Sequence, residues 1–168
     1  ITIDRTSIIT SDEAIGLGHV PASIAVLGSG AVGVEFASIF RRFGSDVTIV
    51  ELQSRLVPNE DEAVSAELAR AFRKRGIAVH TDTRVTNAAV ADGSVRVVME
   101  SSSGLAESLV VETLLVAVGR APVTDGLGAE DVGLTLDRGY IVVDEMFRTN
   151  VPGICAIGDV ITMGRGSH

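Results

Sequence analysis

The stretch that most limits what this chain can fold into is GSGAVGVE, Gly28 to Glu35, entered through the apolar run IAVL at Ile24–Leu27. Three glycines at G-x-G-x-x-G spacing, placed between a continuous apolar run and a helical pattern, read as strand, tight turn and helix. The helix stripe is Val32, Phe36, Ile39, Phe40 and Phe43, with Gly44 as its stop. IAVLG reads as a buried parallel strand covered on both faces, and DVTIV, Asp46 to Val50, is the second strand. After a polar loop comes a second amphipathic helix, predicted to turn Val64, Leu68, Ala71 and Phe72 inward. Arg73, Lys74 and Arg75 lie at its C-terminal end, where cations complement the helix dipole. Gly76 ends it, and IAVH is a third strand. The order β-α-β-α-β is one half of a doubly wound parallel sheet.

In that setting each glycine has a geometric reason. Gly28 permits the tight turn, Gly30 lets the backbone approach a pyrophosphate, and Gly33 lets the helix pack closely on the strand. The helix start then offers unpaired N–H groups and a partial positive charge to phosphates. The second strand runs into Glu51, about 18 residues past Gly33, where an acid receives the adenosine ribose hydroxyls. A carboxylate there repels a 2′-phosphate by about 1–4 kcal/mol in a partly desolvated site. Arg55, the next arginine, is several residues further on, so the pattern favours NAD(H) over NADP(H).

Beyond His80 the apolar period changes from helical to two. Residues 84–119 read as an antiparallel β-meander, with Asp92-Gly93 as a hairpin turn and Ser101–Gly104 as a second turn. Its last piece, LLVAVG, is predicted to re-enter the parallel sheet. YIVVDEMFRT and VPGICAIGDV read as two further short strands. Upstream, Thr10 and Glu13 have capping-box spacing for a short helix that Gly16 stops. The expected fold is therefore α/β: a Rossmann-like parallel sheet built on a βαβαβ unit, with an antiparallel β-meander on one side.

Charge and cysteine usage narrow the function. A formal net charge of −8 argues against nucleic acid or an anionic membrane surface as partner. The one cysteine, Cys155, excludes an internal disulfide and a cysteine-rich zinc site, and its apolar neighbours predict a buried thiol. No signal peptide or span of about 20 apolar residues is present, so a cytoplasmic location is expected. RGSH at the end resembles the junction of an expression tag, and residues 163–168 are read as vector-derived.

GSGAVGVEFASIFRRFGSDVTIVE, followed by VAVGRAP at 116–122 and VPGICAIGDV at 151–160, resembles the flavoprotein disulfide reductases, most of all the dihydrolipoamide dehydrogenase type. In that family an NAD domain is inserted between two segments of the FAD domain. The resemblance implies a lead-in segment from the FAD-domain side at 1–22, an NAD-binding domain at 23–147, and the start of the returning FAD segment at 148–162. It implies that Gly28, Gly30, Ala31, Val32 and Gly33 hold the pyrophosphate end and Glu51 the ribose. Glu35 would reach the nicotinamide end, Val85 would lie by the adenine, and Val118 and Gly119 would close over the nicotinamide by main-chain contact. Arg120 would form a structural ion pair, and Asp159 would meet the ribityl chain of FAD in the intact parent.

The family also uses a closely spaced cysteine pair, a His-Glu acid/base pair and a glycine loop for FAD. Cys155 stands alone, and His19, His80 and His168 do not resemble the acid/base site. The chain therefore reads as a piece of an NAD-dependent dihydrolipoyl dehydrogenase-type oxidoreductase. It is expected to bind NAD(H) without turnover, its partner being the remainder of the flavoenzyme. Three alternatives remain at this level: a stand-alone nucleotide-sensing module, the NAD domain of a related NADH-dependent flavoprotein reductase, and a loop that takes FAD, against which the position of Glu35 and the β-meander weigh.

Overall fold

The computed structural model describes residues 1–162 and divides into two compact units, residues 1–119 and a second beginning at Arg120. The tail at 163–168 lies outside the described residues.

The first unit opens with β1 (Ile8–Ile9) and the short helix α1 (Ser11–Ile15). Asp4 shapes the approach to β1: its Oδ1 accepts from the N–H groups of Thr6, Ser7 and Ile8 at 2.8–2.9 Å and from the Thr6 hydroxyl. Desolvation works to raise the pKa of Asp4, but these hydrogen bonds outweigh it and bring it down to about 2. At α1 the expected capping box is present. The Thr10 hydroxyl oxygen accepts from the Asp12 N–H, the Thr10 N–H donates to Glu13 Oε2, and Gly16 caps the end.

The Rossmann core then follows in order: β2 (Ser23–Leu27), α2 (Ala31–Phe43), β3 (Asp46–Val50), α3 (Glu62–Lys74) and β4 (Ala78–His80). The meander comprises β5 (Thr83–Ala91), β6 (Ser94–Ser101) and β7 (Ala106–Val111), and β8 (Thr113–Val116) returns to the parallel sheet. Asp92 and Gly93, at φ of 52° and 73°, make the two-residue turn between β5 and β6 that their sequence predicts. The parallel sheet runs β1-β8-β2-β3-β4, and the meander forms its own sheet, β5-β6-β7. β1 departs from the sequence pattern, which predicts only a short helix and linker before residue 23. Two apolar residues carry no period, and their partner is the distant β8, with Ile8 opposite Leu114.

Strand alternation divides the interior into two cores. Ile9, Ile24, Val26, Ile49 and Leu115 face α2 and α3, with Ala37, Phe40 and Phe72 from those helices. Ile8, Ala25 and Leu114 face the other way and meet Val95, Val97 and Val111 of the meander. The helices cover one face of the sheet and the meander the other, which is why these strands are mostly apolar on both faces.

Several side chains sit differently from the predicted stripes. In α2 the contact face is Gly33, Ala37 and Phe40, while Ile39 and Phe43 are exposed. Small residues at 33 and 37 draw the helix onto the sheet; of the predicted stripe Phe40 is buried and Phe36 packs against the core, while Ile39 and Phe43 turn outward. In α3, Val64 is exposed and Ser65 is buried, its hydroxyl donating to the Leu56 carbonyl at 2.6 Å. Arg73 and Lys74 occupy the last turn as expected, and Arg75 lies over the Phe72 ring and donates to Ser38. His19 is paired with Glu112 at 3.0 Å.

The second unit is loop-rich. β9 (Leu136–Asp137) and β10 (Tyr140–Ile141) form a small antiparallel pair. Of the two short strands expected within 140–149 and 151–160, the first is present only as β10 and the second does not form. Isolated bridges join Ile141 to Ile161 and Arg148 to Cys155, and turns around Pro152 and Gly158 interrupt the rest. Cys155 is exposed, contrary to the buried thiol its apolar neighbours suggested. Without a regular strand its side chain has no inner face to occupy.

Candidate nucleotide site

The site lies at the carboxyl ends of the parallel strands. From β2 the chain goes outward to β3 and β4 on one side, while β8 occupies the other. The gap between β2 and β8 is thus a topological switch point, the place where open α/β sheets receive ligands.

Gly28 leaves β2 with φ +98°, its N–H donating to the Val50 carbonyl at 2.9 Å. A Cβ on Gly28 would lie 2.5 Å from the Ala117 carbonyl oxygen, so both conformation and space demand glycine. At Gly33 a Cβ would lie 3.0 Å from the Gly28 carbonyl carbon and closer still to its oxygen. This is the close helix–strand approach expected of the third glycine. Gly30 differs: it is the N-cap of α2, and a Cβ there would meet nothing within 4 Å. Nothing in the protein's own packing requires glycine at 30, so the open cradle fits a ligand that approaches the backbone.

Ala31, Val32 and Gly33 begin α2, and the first intrahelical bond is Val34 N–H to the Gly30 carbonyl. The amides before it are the unpaired donors of the helix start. No side chain caps this end and its first turn holds no acidic residue, so its partial positive charge is uncompensated locally. Glu35 follows on the same helix and is exposed.

Glu51, at the end of β3, is 7% exposed. Its Oε2 accepts from both the N–H and the hydroxyl of Ser29, each at 2.7 Å, and its Oε1 accepts from the Gln53 N–H at 2.8 Å. Ser29 is fully buried, and its carbonyl accepts from the Val57 N–H at 3.0 Å. The acid and the glycine loop are therefore one hydrogen-bonded unit. Ser29 is the hub of that unit, and its place between the first two glycines is the only mark of it in the sequence. Arg55 donates to the Pro58 and Glu60 carbonyls and pairs with Glu62 at 3.1 Å.

Val118, largely exposed, and Gly119 continue from β8, where the Ala117 N–H bonds the Leu27 carbonyl beside the loop. The structure thus gathers Gly28, Gly30, Ala31, Val32, Gly33, Glu51 and Val118 at one edge. Val85 is half-buried at the β5 bulge and packs against the core beneath the meander. Asp159 belongs to the second unit, where it pairs with Arg120 at 2.8 Å on an exposed surface. Among the described residues no group of His, Cys, Asp and Glu could hold a metal ion. Among them, too, no helix is long and apolar enough to cross a membrane.

Comparison with known proteins bears on this geometry. The family model for pyridine nucleotide-disulphide oxidoreductases matches residues 2–168. The chain belongs to that family. Within the pyridine nucleotide-disulphide oxidoreductases it is 45% identical over 157 residues to dihydrolipoyl dehydrogenase of Chlorobaculum tepidum, which covers 94% of this chain and 34% of that protein. It is 36% identical to mitochondrial dihydrolipoyl dehydrogenase of Pisum sativum, over 96% of this chain and 32% of the relative. A solved structure of an HOCl-induced flavoprotein disulfide reductase from Escherichia coli superposes with a TM-score of 0.80 at 35% identity. That superposition covers 94% of this chain and 36% of the other. The chain spans about a third of the length of these relatives.

Proposed function

We propose that this chain is the NAD(H)-binding domain of a dihydrolipoamide dehydrogenase-like flavoenzyme, with 23–147 holding the nucleotide and 1–22 and 148–162 on the FAD-domain side. The observation that carries the reading is the pairing of the open Gly30 cradle with a buried Glu51 at the neighbouring strand end. The uncapped amides of Ala31, Val32 and Gly33 suit a pyrophosphate, and the Glu51 carboxylate suits a ribose hydroxyl. Glu35, Val118 and Gly119 would face the nicotinamide end, and Val85 the adenine.

In the intact parent, NAD⁺ held here would supply a hydride acceptor for electrons that pass from dihydrolipoamide by way of FAD. This chain's own part is to bind and orient. Asp159 would contribute to the flavin side in the parent, its exposed pairing with Arg120 being exchangeable for such a contact. Alone the chain binds NAD(H) without turnover, because Cys155 has no second cysteine to form a redox pair. Its compartment is the cytoplasm and its protein partner the remainder of the flavoenzyme.

Calorimetric titration with NADH, NADPH and FAD tests this. Saturable NADH binding in the micromolar to millimolar range, weaker NADPH binding and no FAD binding are expected. Absence of NADH binding, or tight FAD binding by a yellow protein, would overturn it.

A further inference from the structure

We propose that Ser29 is a positioning residue that sets nucleotide choice through Glu51. The inference rests on the NAD(H) reading and concerns how the site rejects a 2′-phosphate. A carboxylate has about four acceptor positions. In Glu51 three are filled, two of them on Oε2 by the N–H and hydroxyl of one residue, Ser29, and one on Oε1 by Gln53. A group held by two donors on one oxygen cannot turn without losing both. The open acceptor position is on Oε1, where a ribose hydroxyl can donate.

No cation offsets the charge. Among the described residues no ion pair involves Glu51, and Arg55 is engaged by Glu62 and two carbonyls. A 2′-phosphate brought to this place meets a negative charge that cannot swing aside. If the same carboxylate could rotate, it would move away from the phosphate, and the discrimination would shrink. Ser29 itself is fully buried, so it acts on the nucleotide only through the acid.

The test uses Ser29→Ala, which keeps the N–H and removes the hydroxyl, with Kd for NADH and NADPH measured on the chain. The NADH preference should narrow about tenfold, the scale of one lost hydrogen bond to a charged group. Ser29→Cys, with a weaker donor in similar space, should fall between the two. In a Glu51→Ala background, Ser29→Ala should leave the preference where Glu51→Ala alone puts it. An unchanged preference in Ser29→Ala, with NADH still bound, would overturn the inference while sparing the nucleotide site. Equal narrowing with and without Glu51 would also overturn it, because Ser29 would then act by another route. No NADH binding by the unsubstituted chain would overturn the nucleotide reading and this inference with it.

Discussion

Gly30 and Gly33 lie three residues apart in the same loop, yet the structure assigns them separable costs. At Gly33 an added Cβ would be 3.0 Å from a backbone carbonyl carbon, where ordinary contact begins at 3.4 Å, with the carbonyl oxygen nearer still. Those atoms are backbone and cannot rotate aside, so α2 must lift from β2. Overpacking of that kind costs about 3 kcal/mol, the upper end of its usual range. Alanine returns about 1 kcal/mol through helix propensity and a less free unfolded chain. Gly33→Ala should therefore lose about 2 kcal/mol, or about 4–8 °C in Tm for a chain this size. At Gly30 the Cβ meets open space, and only the weaker N-cap character of alanine counts, about 0.5 kcal/mol. Its effect should fall on binding instead. Holding a pyrophosphate even slightly off the amides forfeits a charge-assisted hydrogen bond, so NADH affinity should fall at least about tenfold. Thermal denaturation with calorimetric NADH titration of both variants checks this. If Gly30→Ala bound NADH as the unsubstituted chain does, or melted as low as Gly33→Ala, the division of roles would be wrong.

Glu51→Ala strands the Ser29 and Gln53 donors, so it should cost about 2 kcal/mol in urea denaturation as well as loosening NADH and narrowing its preference over NADPH. Equal NADH and NADPH affinities before and after would remove the ribose role. Ser65→Ala leaves the buried Leu56 carbonyl without its hydroxyl donor and should lower Tm by about 2–4 °C, from about 1 kcal/mol. Asp4 has its folded-state pKa lowered from 3.8 to about 2, so its contribution is present above 3.8 and is lost as pH falls through 2. The Tm deficit of Asp4→Ala should accordingly be full at neutral pH and shrink between 3.8 and 2, and a deficit independent of pH would contradict that assignment.

What could be read in advance was local and periodic. The glycine loop, the Thr10–Glu13 capping box, the Asp92-Gly93 turn and the return of LLVAVG to the sheet all follow from short-range rules and stand in the structure. What escaped depends on partners distant in sequence. Ile8–Ile9 is a strand only because β8 lies beside it. Ser65 turns inward only because the Leu56 carbonyl awaits a donor, and Val64 is displaced outward as a result. In α2 the predicted stripe holds at Phe40 and Phe36, but helix–sheet proximity adds the small residues Gly33 and Ala37 and leaves Ile39 and Phe43 exposed. At the site itself, Glu51 was recognisable as an acid at the end of the second strand of the βαβαβ unit. Its commitment to Ser29 was not, since a hydrogen bond between the second loop residue and the next strand's end leaves no spacing signature of its own.

The placement of β8 has a consequence for how the molecule assembles. β8 separates β1 from β2, so the sheet is joined there by a strand that follows the entire meander in sequence. Until that strand arrives, Ile8 and Ile9 have no neighbour and β2 presents an open, hydrophobic edge. Pairing so distant carries a large loop-closure entropy and slows folding. The meander, whose strands pair in sequence order, can form earlier and shorten the effective loop, bringing Thr113 to the gap it must fill. β1 therefore joins the sheet only through β8. Because Ala117 and Val118 follow it directly, the backbone packed against Gly28 also depends on that long-range pairing.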